Sequence, residues 1–171
     1  MPRWPWIERH FTFDYPPTKW PDLLERLRGT PARIRHRLAG LSSDALTRSD
    51  AQGWTIQENI GHLLLVEGLA WQRLEQILAG ESELVAADMS NRRTNETDFN
   101  AQPIETLLAT FETERARLVA RMEQLDEDDW GRAARHPRLK QPMRIVDIAC
   151  FHSEHDDYHL ARIGELVRKL A

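Results

Sequence analysis

The chain has 171 residues, of which 41% are hydrophobic and 29% are charged, with a formal net charge of −4 and a pI near 6.0. This is the composition of a globular chain rather than a disordered one, and a single domain of this length buries about 70% of the surface of its unfolded chain. The mildly acidic balance argues against a nucleic-acid-binding protein, because such proteins carry clustered basic surfaces.

The N-terminal stretch MPRWPWIERHFTFDYPP contains arginines, a glutamate and several prolines, so it lacks the apolar core of a signal peptide. No apolar run in the sequence approaches the length that a membrane span requires. We therefore expect a cytoplasmic protein that binds neither membranes nor nucleic acid. We further expect one domain over residues 1–171, with residues 1–21 as an N-terminal extension packed on it.

The first predicted helix covers residues 22–41, where apolar residues recur at spacings of three, four and seven. Gly29-Thr30-Pro31 interrupts the pattern and leaves two alternatives. The helix is kinked there, or a short first helix ends and a new one starts with the threonine as N-cap and the proline at its first position. In both cases the helix ends near Gly40, and a polar loop follows at 42–54.

The second predicted helix covers residues 55–79 and has clear signals at both ends. Thr55 and Glu58 have the spacing of a capping box, and Gly80 is a typical C-terminal stop. The apolar positions between them leave His62 close to the buried side of this helix.

The remaining pattern completes a helical bundle. Residues 81–102 are mostly polar and aperiodic, which predicts a long crossover loop. Amphipathic spacing then predicts helices at 104–125 and at about 143–170. Because no segment alternates convincingly enough for a strand, we predict an all-α four-helix bundle with long crossover connections at 42–54 and 81–102.

Three histidines on the last predicted helix are candidates for a metal site. Residues four apart on a helix differ by about 40° of rotation, so His155 and His159 project together. His152 lies on the same apolar side, but it is about 10.5 Å of helical rise from His159. It is therefore an alternate ligand or a residue that orients a ligand. A pair at this spacing is also compatible with a solvent-exposed stripe that binds no metal.

His62 on the second helix could complete the pair, because metal sites in bundles use side chains that face one another across the core. Three neutral imidazoles that leave positions open for water or substrate are typical of catalytic divalent sites. Cys150 is the only cysteine, so a cysteine-based zinc cluster is excluded, and its apolar neighbours predict a small buried side chain.

Several nearby residues have competing interpretations. Glu154 could orient a ligand imidazole or lie off the site, and Tyr158 could bind substrate or pack half-buried. At least one of Asp156 and Asp157 should face solvent, because their rotations differ by about 100°. Glu67 is either a surface charge or a hydrogen-bond acceptor behind a ligand. The remaining histidines have no partner at chelating spacing and are predicted to be surface or loop residues: His10, His36 and His136.

The motifs GWTIQENIGHLLLVE (53–67), HPRL (136–139) and SEHDDYHLARI (153–163) resemble those of the DinB/YfiT-like superfamily of metal-binding four-helix bundles. The resemblance runs over nearly the whole chain. Homodimers are frequent among members of this superfamily, so the resemblance implies a possible homodimer. It leaves the reaction open, because a fold does not determine a function.

Carried over by position, the resemblance implies that His62, His155 and His159 bind a divalent metal ion, with zinc or nickel expected. In similar sequences a further histidine often precedes the last ligand, where this chain has Tyr158. His152 stands where an apolar residue is common.

Two functional classes follow from these observations. The leading one is a metal-dependent enzyme for a small-molecule substrate, either an S-transferase that uses a low-molecular-weight thiol as co-substrate or a hydrolase. The alternative is a non-catalytic protein, in which the metal stabilises the fold or the bundle serves as a stress-related binding protein.

Overall fold

The computed structural model describes residues 3–51 and 53–170. Four residues lie outside the described residues, at the ends of the predicted domain and in the predicted loop 42–54: Met1, Pro2, Gln52 and Ala171. The described chain is mostly helical. The helices are α1 (Trp20–Arg28), α2 (Thr30–Leu38), α3 (Ser43–Thr47), α4 (Ile56–Leu78), α5 (Arg92–Glu96), α6 (Ile104–Glu123) and α7 (Ile145–Leu170). The strands are β1 (Ala133–Arg135) and β2 (Pro142–Arg144).

The predicted four-helix bundle is confirmed. α1 and α2 together form the first member, and α4, α6 and α7 form the other three. α4 packs against both α6 and α7, while α1 packs against α7 and α6. Long connections precede α4 and α6, as the sequence predicts, and both pack against α4.

The break between α1 and α2 is a kink. Gly29 keeps helical backbone angles (φ −75°, ψ −14°), and its N–H donates to the Glu25 carbonyl at 3.0 Å. The N-cap of α2 is Gly29 rather than the threonine that follows. The hydroxyl of Thr30 donates instead to Asp156 Oδ2 on α7, at 2.7 Å.

The predicted signals at the ends of α4 are confirmed. The Thr55 side chain accepts from the Glu58 N–H, and the Glu58 carboxylate accepts from the Thr55 N–H, which is the complete capping box. Gly80 follows the helix with φ +78°, a left-handed conformation that glycine adopts without a steric cost.

Three loop predictions need correction. The loop 42–54 contains α3, capped by Ser42, and the loop 81–102 contains α5 and a 3₁₀ turn at Phe99–Ala101. The expectation of no strand is wrong, because β1 and β2 form an antiparallel pair with three facing residue pairs. Strands of three residues are too short to show a sequence period.

Polar residues divide the apolar core of the bundle into two parts. One apolar cluster joins α1 and the second half of α4 to the start of α7, and the other joins α2 and the first half of α4 to the end of α7. Between them lie buried polar side chains at the middle of α4, α6 and α7: Glu67, Arg115, His152 and Asp156. The predicted metal ligands lie beside this polar layer.

Candidate metal site

Three histidines from two helices converge at one point. His62 projects from α4, and His155 and His159 project from α7. One ligand nitrogen of each ring lies within 4.8 Å of the others, and the two Nε2 atoms of His62 and His155 are 3.3 Å apart. Two nitrogens bound to a tetrahedral zinc ion at about 2.1 Å would be about 3.4 Å apart. The spacing therefore fits a divalent ion of this size.

Asn59, one turn before His62, sets the protonation of His159. The Asn59 Nδ2 donates to the carbonyls of Trp54 and Thr55, at 3.2 and 2.7 Å, so its Oδ1 is left as the acceptor. This oxygen lies 2.9 Å from Nδ1 of His159 and accepts its proton. Neutral His159 then has an unprotonated Nε2, which is the form that binds a cation.

The other two rings are held differently. Nδ1 of His62 lies 3.0 Å from the hydroxyl of Thr94 on α5, a partner of the kind that orients metal-bound imidazoles. Nδ1 of His155 is buried and has no hydrogen-bond partner among the residues described. Trp6 packs its ring edge-on to that of His155, with centroids 4.9 Å apart.

The environment keeps the three imidazoles neutral. Burial lowers the pKa of His62 to about 4. Burial, and then the neighbouring histidines, hold the pKa of His155 and of His159 well below the ordinary value. Neutral imidazoles offer lone pairs near pH 7, so protons do not compete with a metal ion there.

His152 does not join the other three histidines. Its Nε2 lies 2.9 Å from Glu67 Oε1 and 3.1 Å from Arg115 Nη2, in the polar layer of the core. His152 faces α4 and α6 at a level about one turn before His155, and its partners there are a buried ion pair. Because these partners lie on other helices, the sequence could not settle its role.

Glu67, His152 and Asp156 are also close enough to hold a cation, but a guanidinium already occupies their centre. Arg115 donates to both oxygens of Glu67, at 3.0 and 2.6 Å, and to Asp156 Oδ2 at 2.6 Å. Burial alone would raise the pKa of Glu67, but the charges of His152 and Arg115 outweigh it and lower the pKa to about 2. The group is an internal ion network rather than a second metal site.

The carboxylates that flank the histidines on α7 point away from the site. Glu154 accepts from Arg26 Nη2 at 2.7 Å, and Asp157 accepts from Arg26 and, at 2.7 Å, from Arg33. Glu154 therefore contacts α1 rather than a ligand imidazole. Asp156 is fully buried and Asp157 is partly exposed, in agreement with the expectation for that pair.

Tyr158 lines the approach to the site. It is half-buried, with its ring edge-on to His159 at 5.2 Å and the Arg3 guanidinium over its face at 4.2 Å. The Arg3 side chain also donates to the Tyr158 carbonyl at 3.1 Å. N-terminal residues thus contact α7 beside the histidines.

A cavity of about 1120 Å³ opens onto the three histidines. Its walls come from α4, α7, the N-terminal residues, the connection before α5 and the hairpin loop. Trp6 and Phe151 form part of the wall, with ring centroids 4.9 Å apart. The cavity is large enough for a substrate to reach the site.

Sequence reasoning missed several residues of this region. His136 lies in the loop between β1 and β2, in agreement with the prediction of a surface or loop residue, but it is buried and lines the cavity. Asn59 could have been found, because it lies three residues before His62 on the same helix face. Arg115 occupies a position of the apolar stripe of α6, which is a signal for a buried charge. No sequence pattern points to Thr94, whose position depends on the path of the connection.

The chain belongs to the DinB superfamily, whose family model matches residues 12–163. The resemblance seen in the sequence motifs is thereby confirmed. Two relatives from Geobacillus kaustophilus and Geobacillus thermodenitrificans, both named as putative metal-dependent hydrolases, are 23% and 24% identical over 144 residues. Each match covers 84% of this chain and 81% of the relative.

Two solved structures share the fold. YfiT from Bacillus subtilis, described as a probable metal-dependent hydrolase with an unusual four-helix bundle topology, superposes with a TM-score of 0.83 at 18% identity and covers 95% of this chain and 93% of its own. The mycothiol-dependent maleylpyruvate isomerase gives a TM-score of 0.69 at 16% identity, over 95% of this chain and 70% of its own. In the described residues, no helix is long and apolar enough to cross a membrane.

Proposed function

We propose that this protein is a metal-dependent enzyme whose divalent ion, zinc or nickel, is held by His62, His155 and His159. The observation that carries the proposal is the convergence of three neutral imidazoles, with the Nδ1 atoms of His62 and His159 engaged by Thr94 and Asn59. A divalent ion held by these residues would lower the pKa of a nucleophile bound to it.

The protein side chains around the ion would supply orientation and shielding. Asn59 and Thr94 direct Nε2 of His159 and of His62 toward the same point. Trp54 lies over the His62 ring, with centroids 4.7 Å apart, and Trp6 lies against His155. These indoles exclude water from two sides of the site, so the cavity becomes the route by which a substrate arrives.

The cavity has room for a small-molecule substrate, because ligand pockets commonly enclose about 300–1,000 Å³ and this cavity has about 1120 Å³. A low-molecular-weight thiol with the molecule that it attacks, or one larger substrate, fits a cavity of this size. We place the S-transferase first because the mycothiol-dependent isomerase has a similar fold.

A hydrolase is the second candidate, because the two relatives whose alignments cover 84% of this chain are named as putative metal-dependent hydrolases. Water would then replace the thiol as nucleophile. The two reactions need the same ligands and differ in whether a thiol is consumed.

The test is an assay of the zinc- and nickel-loaded protein with an electrophile in the presence and absence of a small thiol. Metal-dependent turnover that requires the thiol supports the S-transferase, whereas equal turnover without thiol supports the hydrolase. His159→Ala should abolish turnover and metal binding, and His36→Ala, an exposed histidine on α2, is the matched control. Full activity of His159→Ala would refute the proposal.

A non-catalytic role makes a different prediction. If the ion only stabilises the bundle, chelation should lower the melting temperature strongly, and no electrophile should be turned over. If the protein only binds a ligand, turnover should likewise be absent. Melting curves of metal-free and metal-loaded protein, measured beside the activity assay, distinguish this alternative.

We also propose that the protein acts in the cytoplasm as a homodimer. Large apolar side chains are exposed at Ile7 and Met89, both of which line the cavity. A second copy could cover them. Analytical ultracentrifugation tests the dimer, and cell fractionation tests the compartment.

A further inference from the structure

The cavity wall away from the three histidines carries a buried cation. Arg73 on α4 is 5% exposed, and its Nε and Nη2 both donate to the carbonyl of Val85, at 3.1 and 3.0 Å. No carboxylate pairs with this guanidinium in the described part of the chain. Burial, and then the charge of Arg138, lower the pKa of Arg73 to about 10. A buried cation without a counter-ion is costly, so an anion bound beside it would be stabilising.

The hairpin loop brings a second cation to the same wall. Arg138 donates from Nη1 to the carbonyl of Ile7 at 3.2 Å, and its guanidinium lies over the ring of Phe151 at 5.7 Å. Its Nη2 is buried and has no acceptor within residues 3–51 and 53–170. The two contacts of the Arg138 guanidinium are an uncharged carbonyl and an aromatic ring, and neither neutralises its charge.

His136 adds a hydrogen-bond donor to the same cavity wall. Its Nδ1 accepts from the backbone N–H groups of Arg138 and Leu139, at 3.2 and 3.1 Å, so the proton of the neutral ring lies on Nε2. This Nε2 is buried without a partner among the described residues, in a side chain only 1% exposed. Burial, and then the charges of Arg73 and Arg138, lower the pKa of His136 to about 3.

The charged side chains that line the cavity are mostly cationic. Four cationic side chains line it, and among the described lining residues the only carboxylate is Asp88. The Asp88 oxygens accept from the Ser90 hydroxyl and from the backbone N–H groups of Ser90 and Arg92. They therefore stabilise the local backbone turn at residues 88–92. The lining cations are Arg73, Arg93, Arg138 and Lys140.

We propose that Arg73, Arg138 and His136 form a subsite that binds an anionic group, a carboxylate or a phosphate, of the substrate or of its thiol co-substrate. Guanidinium groups suit such anions because their N–H donors match two oxygens at once. The anion would supply acceptors for the buried Nη2 of Arg138 and Nε2 of His136 and would neutralise the charge of Arg73. Such an anion would also supply the counter-charge that no described carboxylate gives to Arg73.

The subsite is placed to work with the three histidines. His136 lies against Phe151, with ring centroids 5.4 Å apart, and Phe151 is one turn before His155 on α7. Trp6 bridges the same gap from the other side, because it contacts both Phe151 and His155. A molecule anchored at the subsite would extend along this aromatic wall to the histidines. This step rests on the proposed function, whereas anion binding itself does not.

The experiment measures anion binding to metal-free protein by calorimetry at low ionic strength, with inorganic phosphate and acetate as separate probes. We expect saturable binding of one anion per chain, and the tighter of the two probes identifies the class of anion. Arg138→Met should weaken this binding about tenfold or more, because it removes charge-assisted hydrogen bonds. Arg135→Met, which removes an exposed charge from the same hairpin, should change it by less than about twofold.

Failure of the two proposals can be distinguished with His159→Ala. If His159→Ala and the metal-loaded wild type bind the anion at this subsite equally, the subsite is independent of the metal, and a separate metal analysis then tests the proposed function alone. The subsite is refuted if metal-free wild type shows no saturable binding, or if Arg135→Met weakens binding as much as Arg138→Met. Because Arg138 is only partly buried, its replacement should leave the fold intact, which circular dichroism checks.

Discussion

The hydroxyl of Thr94 lies 3.0 Å from Nδ1 of His62, so the connection between α4 and α6 reaches into the candidate metal site. Thr94 is buried, although it belongs to a helix of only five residues. The contact gives the connection a role beyond joining two helices. It holds the orientation of one proposed ligand from outside the bundle.

Replacing Thr94 with valine should weaken metal binding without unfolding the protein. Valine keeps the shape of threonine but removes the oxygen, and loss of a group that orients a metal ligand costs about 10–100-fold in affinity. Thr97→Val is the matched control, because the Thr97 hydroxyl donates only to the Arg93 carbonyl on the protein surface. Competition with a chelator of known affinity measures the effect. Equal affinity of the two variants would show that Thr94 does not orient His62.

Gly61, the residue before His62, allows the ring of Phe99 to lie directly on α4. A Cβ at this position would meet ring carbons of Phe99 at 2.3 to 2.5 Å, which is far inside contact distance. Gly61→Ala should therefore destabilise the protein by about 1–3 kcal/mol, as overpacked cores do. At Gly68 on the same helix a Cβ would meet nothing within 4 Å. Gly68→Ala should be neutral or stabilising by up to about 1 kcal/mol. Urea unfolding of both variants tests the difference.

Arg115 should be among the most sensitive positions for stability. Arg115→Met leaves Glu67 and Asp156 buried without their counter-ion, and breaking a buried ion pair in this way costs about 3–5 kcal/mol. Arg117→Met, two residues away with a side chain 60% exposed, should cost less than about 1 kcal/mol. Chemical denaturation gives both values. A small effect at Arg115 would mean that the polar layer relaxes or admits water.

His136 should make stability depend on pH. Its pKa is lowered to about 3 in the folded protein, by burial and by the charges of Arg73 and Arg138, whereas an unfolded histidine has a pKa of about 6.5. Between these values the unfolded chain binds a proton that the folded chain does not. The contribution of His136 is therefore fully present above about pH 6.5 and is lost as the pH falls, by at most about 1.4 kcal/mol per pH unit.

The variant His136→Asn isolates this effect. The metal-free site histidines contribute with the same sign in both proteins, so the difference in slope between wild type and variant belongs to residue 136. We expect the free energy of unfolding of the wild type to fall more steeply from pH 7 to pH 5. Parallel slopes would show that His136 takes up its proton in the folded state.

The helices and the histidines at the site were predictable because their signals are local. Amphipathic spacing and the Thr55–Glu58 box depend on residues within a few turns of one another, and the structure has them where the sequence places them. Helical rotation likewise brings together His155 and His159. The apolar pattern of the second helix places His62 near its buried side, the family motifs name it as well, and the structure brings it to the same point.

The polar layer and the hairpin loop were not predictable in the same way. The partner of His152 is Arg115 on another helix, and no pattern in the sequence tells which residue of α6 faces which residue of α7. His136 is buried because its loop folds against α7 and α4, a tertiary contact that its own neighbours in sequence do not indicate. The loop residues Thr94 and Phe99 depend in the same way on how the connection folds.

The packing of the N-terminal residues on α7 bears on the order in which the protein can be completed during synthesis. Arg3 and Tyr158, which are hydrogen-bonded, are 155 positions apart, and Trp6 lies against His155. A chain emerging from the ribosome exposes Trp6 first and its partners last, since synthesis proceeds from the N-terminus. Until α7 emerges, His62 has neither His155 nor His159 beside it, and the Trp6 indole has no helix surface to pack against. At the proposed site, metal uptake and closure of the cavity wall would therefore follow the synthesis of α7.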